Sequence, residues 1–437
     1  MILTAKTSCL SGVVEIPGSK SHTIRAVAIA SLAKGISRIH KPLISSDALS
    51  AVGCCRVLGA EIDTKNDDLW VINGINGQIN PTETQIDVGN SGTTMNLAIG
   101  TCALISPEIE VFLTGDHQIQ KRPVGPILNA VKDLGANGRT HNNNGCPPLT
   151  ISGKLRGGKT TIECKSSQYL SSLLLACPLA EGDTEITVPL LYEPDYARIT
   201  LDWLDKQGIQ YEMKDDLSWF RIPGGQRYTA FDMAVPADFS SATFFLCAAS
   251  LIGDEILVQG LDFDDSQPDK AVADYLIAMG ADLRCSKDGV HVARSELIGC
   301  EIDMNRTPDA LPAMAVTACF AEGETRLVNV PQARDKETDR IACMAKELAK
   351  LGADIEELPD GLLIRGHTNG ANLTAAPVSG HGDHRIVMAM SIAGMALDGE
   401  MSIDTAEAMN VTFPEYVTLM TQLGANMKMW PKHPASE

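Results

Sequence analysis

Lys20, Arg25, Arg122, Lys336, Arg340 and Arg385 stand at the starts of structural elements in four separated parts of the chain. Asp309 and Glu337 occupy positions of the same kind. Hydroxyl groups accompany them: Ser21 beside Lys20, Ser91, Thr93 and Thr94 around Gly92, and Ser166 and Ser167 before Gln168. A helix start, with its free N–H groups, attracts anions. Guanidinium groups bind phosphate and carboxylate through paired hydrogen bonds. A carboxylate set among such groups is suited to moving a proton. Together these residues could perform acid–base chemistry on a small polyanion. Taken singly, each motif has a plainer meaning. Ser and Asp cap helices, and a run such as Lys336–Arg340 commonly pairs charges on a surface. The stretch Pro17–Arg25 is not a Walker loop, because Gly18 does not directly precede Lys20. His381, Asp383 and His384 are metal-ligating types, but their spacing matches no common zinc pattern. Arg385 is therefore taken as the working group there, and no metal is expected.

Composition narrows the classes. Lys and Arg number 36 against 55 Asp and Glu, a net charge of −19, which repels nucleic-acid phosphates. Aromatic residues make up 5%, too few for base-stacking platforms. The longest apolar run, Ile386–Leu397, is too short to span a bilayer. Met1–Lys6 has no basic start followed by a long apolar core, so no secretory signal is expected. The twelve cysteines form no CxxC pair with ligand partners and are read as reduced thiols of a cytoplasmic protein. The tail Pro431–Glu437 is expected to fray.

The elements that must position the charged residues recur. A Leu-Gly-Ala type tripeptide returns with glycines at 59, 135, 208, 280, 352 and 424, a period of about 72 residues. Before each glycine come a polar start, an apolar helix, a strand and an amphipathic helix; two short strands follow it. The predicted apolar helices are Ala26–Ala33, Met95–Ile105, Leu170–Ala180, Ala242–Leu251, Ala310–Ala321 and Ile386–Leu397. Apolar on all sides, they are expected to be buried. In the fifth amphipathic helix Ile341, Met344, Leu348 and Leu351 line one face, and Lys346, Glu347 and Lys350 the other. On a helix Lys336 and Arg340, four apart, would share a face.

The chain is thus an α/β protein of six βαβαββ-type repeats, 437 residues with 44% hydrophobic content, enough for two cores. The sixth repeat stops at Asn426–Trp430 without a last strand, and Gly12–Ile16 is a strand with no repeat of its own. The N-terminus is expected to complete the sixth repeat. That divides the chain into an N-terminal lobe, 18–235, and a C-terminal lobe, 1–17 plus 236–437, with three repeats each and a ligand cleft between.

Pro-Gly-Ser-Lys-Ser with Arg25, Gly-Asn-Ser-Gly-Thr at 89–93, Arg122-Pro123, Ser-Ser-Gln at 166–168, Pro-Asp-Ala at 308–310, Lys-Glu-Thr-Asp-Arg at 336–340, Asp-His-Arg at 383–385 and Thr412-Phe413-Pro414 fall in one order along the chain. In that order they resemble the 5-enolpyruvylshikimate-3-phosphate synthases, one branch of the enolpyruvyl transferases. The resemblance implies an inverted, two-lobed α/β barrel fold. It implies transfer of the enolpyruvyl group of phosphoenolpyruvate to the 5-hydroxyl of shikimate 3-phosphate, by addition and elimination. The pathway would be that of chorismate and the aromatic amino acids, with no cofactor, a monomeric state, and the herbicide glyphosate as inhibitor.

By the same resemblance, Lys20, Ser21, Arg25, Ser166, Ser167, Gln168, Tyr196, Asp309, Gln332 and Lys336 would contact shikimate 3-phosphate on the N-terminal side. Lys20, Gly92, Arg122, Gln168, Arg340 and Arg385 would hold phosphoenolpyruvate, with the carboxylates on the C-terminal side. Asp309 would take the 5-hydroxyl proton, and Glu337 would protonate the enol methylene, with Lys20 a third catalytic group. Gly92, lacking a side chain, would leave room for glyphosate. Some positions depart from the pattern. Val411 replaces a lysine of some members, Asn96 a common arginine, Gln332 a common asparagine, and Glu193 a substrate-binding serine. Glu193 beside a sugar phosphate is repulsive and is left out of the site. The alternative is the sister transferase acting on UDP-N-acetylglucosamine. It usually has Lys-Asn in the first motif and a reactive cysteine before Arg-Pro. Here Lys20-Ser21 stands in the first motif, and Thr114–Lys121 has no cysteine.

Overall fold

The computed structural model describes residues 1–431; residues 432–437, most of the tail for which fraying is expected, lie outside the described residues. The six apolar segments form six inner helices: Lys20–Leu32, Gly92–Cys102, Ser167–Ala176, Phe239–Ile252, Leu311–Cys319 and His384–Ala396. Most begin earlier than the apolar stretch predicts, because the polar motif residues themselves form the cap and first turn. The side chains of Ser91, Ser166 and Asp383 each accept a first-turn amide. The six outer helices are Ser46–Val57, Gly125–Asp133, Pro194–Lys206, Ala271–Ala278, Arg340–Lys350 and Tyr416–Gln422. Just past each lies the repeat glycine, at φ between +67° and +109°, where a Cβ is costly. That conformational demand explains why the glycine is the most regular feature of the repeat.

Each repeat owns a small sheet. In the second, Gln85–Asp87 runs parallel to Glu110–Thr114, which pairs antiparallel with Leu149–Gly153, itself paired with Ala136–Thr140. The chain forms two compact units, Gly18–Pro236 and Met1–Pro17 with the residues from Ala237 on. Each contains three repeats, as the repeat count predicts.

The N-terminus enters two sheets. Ile2–Lys6 pairs antiparallel with both Glu400–Ile403 and Asn426–Trp430, and so supplies the missing strand of the sixth repeat. The strand expected as Gly12–Ile16 has a different place. It forms as Leu10–Glu15 and lies parallel to Gly253–Gln259 in the sheet of the fourth repeat. Reciprocally, Asp232–Ala234 pairs with Lys34–His40 in the first repeat.

Within each unit the inner helices are buried on all sides, so their apolar residues form the core. Ile24, Leu97 and Leu173 belong to one core, and Phe245, Met314 and Met390 to the other. No helix among the described residues is long and apolar enough to cross a membrane. Burying three helices per unit leaves their N-terminal turns as the places where polar side chains gather.

Candidate active site

In the unit Gly18–Pro236 the predicted residues lie on the first turns of three inner helices and on the segments touching them. Lys20 opens the first inner helix, with Nζ 3.2 Å from Oδ2 of Asp47, which is 5% exposed. Arg25, 2% exposed, is held on all sides. Its Nε donates to Thr200 Oγ1 at 2.8 Å, Nη1 to the Ser21 carbonyl at 3.0 Å, and Nη2 to Ser171 Oγ at 3.3 Å and the Tyr196 carbonyl at 3.1 Å. Burial lowers its pKa to about 10, with Tyr196 opposing, so it remains a cation at neutral pH. Ser21, Arg25 and Tyr196 are therefore brought together.

Gln168 donates through Nε2 to Thr93 Oγ1 at 3.0 Å and accepts from Asn96 Nδ2 at 2.8 Å. Asn96, noted above only as a departure, thus supports a predicted ligand. Ser166 caps its helix. The Ser167 hydroxyl donates to Oε2 of Glu193 at 2.9 Å. Glycine at 92 has a steric reason. A Cβ there would sit 2.3 Å from Nη1 of Arg122, so the guanidinium lies against the bare backbone. Gly92→Ala should push Arg122 aside and, if Arg122 serves the reaction, lower kcat/KM by roughly 10- to 100-fold, the scale of a 1 Å misplacement. Unchanged kinetics would separate Arg122 from the site.

In the other unit one guanidinium organises the cluster. Arg340, 1% exposed, donates from Nε to Asp383 Oδ2 at 2.8 Å, from Nη1 to Asp309 Oδ1 at 2.7 Å, and from Nη2 to Glu337 Oε2 at 2.5 Å and Asp383 Oδ1 at 3.2 Å. Burial pulls the Arg340 pKa down, but Asp383, Glu337 and Asp309 more than offset it and hold it well above the ordinary arginine value. Arg385 Nη2 lies 2.9 Å from the other oxygen of Asp309. Two guanidiniums thus face three carboxylates, Asp383 fully buried and Asp309 and Glu337 partly exposed. Asp309 sits in the turn Pro308–Ala310 that leads into the fifth inner helix. Asp383 caps the sixth, with its side chain accepting from the Arg385 amide.

The expectation that Lys336 and Arg340 share a helical face is corrected. Asp339 caps a helix that begins only at Arg340, with Ala342 N donating to it, and Lys336 ends the short turn Pro331–Asp335 in extended conformation. Glu337, three residues before Arg340, meets its guanidinium across this non-helical link. Glu347, predicted on the solvent face, is fully buried. It accepts from Lys350, the Ser379 amide and His381. Burial pushes its carboxyl up, but these partners outweigh burial and leave it below the usual carboxylate value. Gln332 donates to the Asn305 carbonyl at 3.1 Å, and its buried Oε1 has no hydrogen-bond partner among the described residues.

His384 is buried, and burial drives its imidazole down to about 3; Asp383 and Glu337 oppose the shift, and Arg385 and Arg340 assist it. The ring is neutral in the folded chain. Unfolded histidine titrates near 6.5, so between that pH and about 3 the unfolded state binds the extra proton. Stability from this group is complete above that window and falls on acidification through it, by at most about 1.4 kcal/mol per pH unit. Urea unfolding of His384→Gln between pH 7 and 4 should decline less steeply than the parent. Parallel curves would remove His384 from the acid response.

Sequence reasoning passed over Asp47, Asn96 and the central place of Asp383. Only Asp383 carried a local signal, as a capping residue before an apolar helix. No group of three His, Cys, Asp or Glu side chains among the described residues is placed to hold a metal ion.

Fold and site define a repeat-built α/β protein that collects cations and carboxylates at helix starts, the equipment of an anion-handling transferase. A family profile described as EPSP synthase (3-phosphoshikimate 1-carboxyvinyltransferase) matches residues 4–420. The 3-phosphoshikimate 1-carboxyvinyltransferase of Acetivibrio thermocellus is 52% identical over 427 residues, covering 98% of this chain and 99% of that protein. The protein of the same name from Methanocaldococcus jannaschii is 41% identical over 435 residues, covering 98% and 99%. A solved structure of EPSP synthase from Acinetobacter baumannii superposes with a TM-score of 0.82 at 26% identity, covering 98% of this chain and all of that one. The chain belongs to the EPSP synthase family. It is an enzyme, a transferase of the shikimate pathway, and the sugar-nucleotide alternative gives way to that reading.

Proposed function

We propose that this chain carries the enolpyruvyl group of phosphoenolpyruvate to the 5-hydroxyl of shikimate 3-phosphate, with the predicted residues in their predicted roles. The observation that carries the residue assignment is the single guanidinium of Arg340 binding both Asp309 and Glu337. Addition to an enol needs a base for the hydroxyl proton and an acid for the methylene, close together. Asp309 takes the hydroxyl proton as the oxygen attacks the enol carbon. Glu337 gives a proton to the methylene. The tetrahedral adduct then loses phosphate and a methyl proton, which restores the double bond.

The unit Gly18–Pro236 takes the shikimate 3-phosphate through Lys20, Ser21, Arg25, Ser166, Ser167, Gln168 and Tyr196. Arg25 orients the ring and stays charged while nearly dry, so its attraction is weakly screened. The unit from Ala237 on supplies Asp309, Glu337, Gln332 and Lys336. Phosphoenolpyruvate is held by Lys20, Gly92, Arg122, Gln168, Arg340 and Arg385. An arriving anion competes with Glu337 for Arg340, which favours a protonated Glu337 when the methylene needs its proton. Both substrates are multiply anionic, and fixed cations in a drying site lower the cost of bringing them together.

The chain works as a monomer in the cytoplasm on this reading. The assay that tests it is phosphate release from phosphoenolpyruvate. Release should require shikimate 3-phosphate and should not occur with UDP-N-acetylglucosamine in its place. Release with the sugar nucleotide, or none with either acceptor, would overturn the proposal.

A further inference from the structure

The Glu193 carboxylate is buried against Ser167, one of the predicted phosphate ligands. It is 2% exposed. Its Oε2 accepts from the Ser167 hydroxyl at 2.9 Å and from the Ser167 amide at 3.4 Å. Ser167 is the first residue of the ten-residue helix Ser167–Ala176, so the carboxylate sits where the helix end favours negative charge. Glu193 holds this place in a strained backbone. Its φ and ψ are 57° and 48°, in the left-handed region, and Pro194 follows it at the start of the helix Pro194–Lys206. A left-handed conformation is uncommon for any residue with a Cβ, and a following proline restricts the backbone further. Such strain persists only where the surroundings over-determine it, and it concentrates at ligand sites. Tyr196, whose carbonyl accepts from Arg25, lies three residues on, so Glu193, Ser167, Tyr196 and Arg25 form one cluster.

We infer that the Glu193 carboxylate occupies the place of the substrate's phosphoryl group on Ser167, and that shikimate 3-phosphate must displace it to bind. This rests on the reading of Ser166, Ser167 and Gln168 as phosphate ligands. No covalent bond changes; one anion replaces another on the same hydroxyl and amide. Ser167 has one hydroxyl proton and one N–H, too few to serve both anions fully. Two negative groups side by side repel. Glu193 therefore sets how tightly the phosphorylated ring is held, and is a specificity-determining residue.

Glu193→Ser and Glu193→Gln test this by kinetics and by calorimetric titration. In each, KM for shikimate 3-phosphate should fall about tenfold, on the scale of a removed like-charge contact. KM for phosphoenolpyruvate should hold and kcat should not drop. The gain in calorimetric affinity should appear with shikimate 3-phosphate and not with shikimate, which lacks the phosphoryl group. A gain shared by shikimate overturns the inference. So does an unchanged or raised KM in Glu193→Gln, which would make Glu193 a prop for Ser167, and so does a loss of thermal stability with no change in KM. A parent chain that binds shikimate 3-phosphate yet releases no phosphate overturns the proposed reaction, and tighter binding in the variants would then still support the displacement. No binding by parent and variants alike overturns both.

Discussion

Arg340→Met is expected to cost about 3–5 kcal/mol of stability, as for a buried ion pair broken from one side, and to abolish turnover. The guanidinium is 1% exposed and makes four hydrogen bonds to Asp383, Asp309 and Glu337. Asp383 is fully buried and cannot recover water. Without the cation three carboxylates face one another in a medium of low dielectric, and Arg385 is paired with Asp309. Methionine matches the stem but supplies no donor. The folded-state pKa of Arg340 is raised above the ordinary arginine value. Its contribution to stability is therefore fully present at every pH below that value and is lost only at more alkaline pH, so measurement at neutral pH reads all of it. Arg340→Lys should recover only part, because an ammonium cannot reach three carboxylates as a planar fork does. Urea unfolding of the two variants decides it. A midpoint equal to the parent's would mean that the cluster contributes little.

The second large effect belongs to Glu337. Glu337→Ala should lower kcat at least about 100-fold, the usual cost of a lost general acid, and should alter KM for phosphoenolpyruvate much less. Here the fold should survive, because Arg340 keeps Asp309 and Asp383. A thermal midpoint close to the parent's is the control that separates chemistry from folding. Glu337→Gln keeps the shape and a hydrogen-bonding end but has no carboxylic proton to give, so it should fall nearly as far as alanine. Near-parental kcat in either variant would remove Glu337 from the proton transfer and leave it as a partner of Arg340 alone.

The two outcomes differ although the residues lie three apart in one motif. Lys-Glu-Thr-Asp-Arg was legible in the sequence as a place for chemistry. Which residue holds the site and which works in it was not. A helical reading of the run would put Lys336 and Glu337 alike on the face of Arg340; capping by Asp339 delays the helix, so Lys336 is extended while Glu337 still reaches Arg340. Glu347 misled for a related reason. Charge and helical periodicity put it in water, while His381, Lys350 and the Ser379 amide, brought in by the fold, make its burial tolerable. By charge alone Glu193 repels a sugar phosphate, and what the structure adds is that Ser167 already binds it.

By itself the sequence determined the six-fold repeat, the all-round apolar inner helices, the helix-stopping glycines and the element starts where charge collects. All of these are local. Side-chain period, capping preference and the left-handed backbone at a glycine act within a few residues and need no knowledge of neighbours. Only the tertiary structure decided that Ile2–Lys6 closes the sixth sheet while Leu10–Glu15 serves the fourth. It also decided that Arg340 gathers carboxylates from three segments, and that Lys20 meets Asp47. Six similar repeats present similar strand edges, and a buried charge takes whichever opposite charge the packed helices bring to it; neither choice is written in the spacing of residues along the chain.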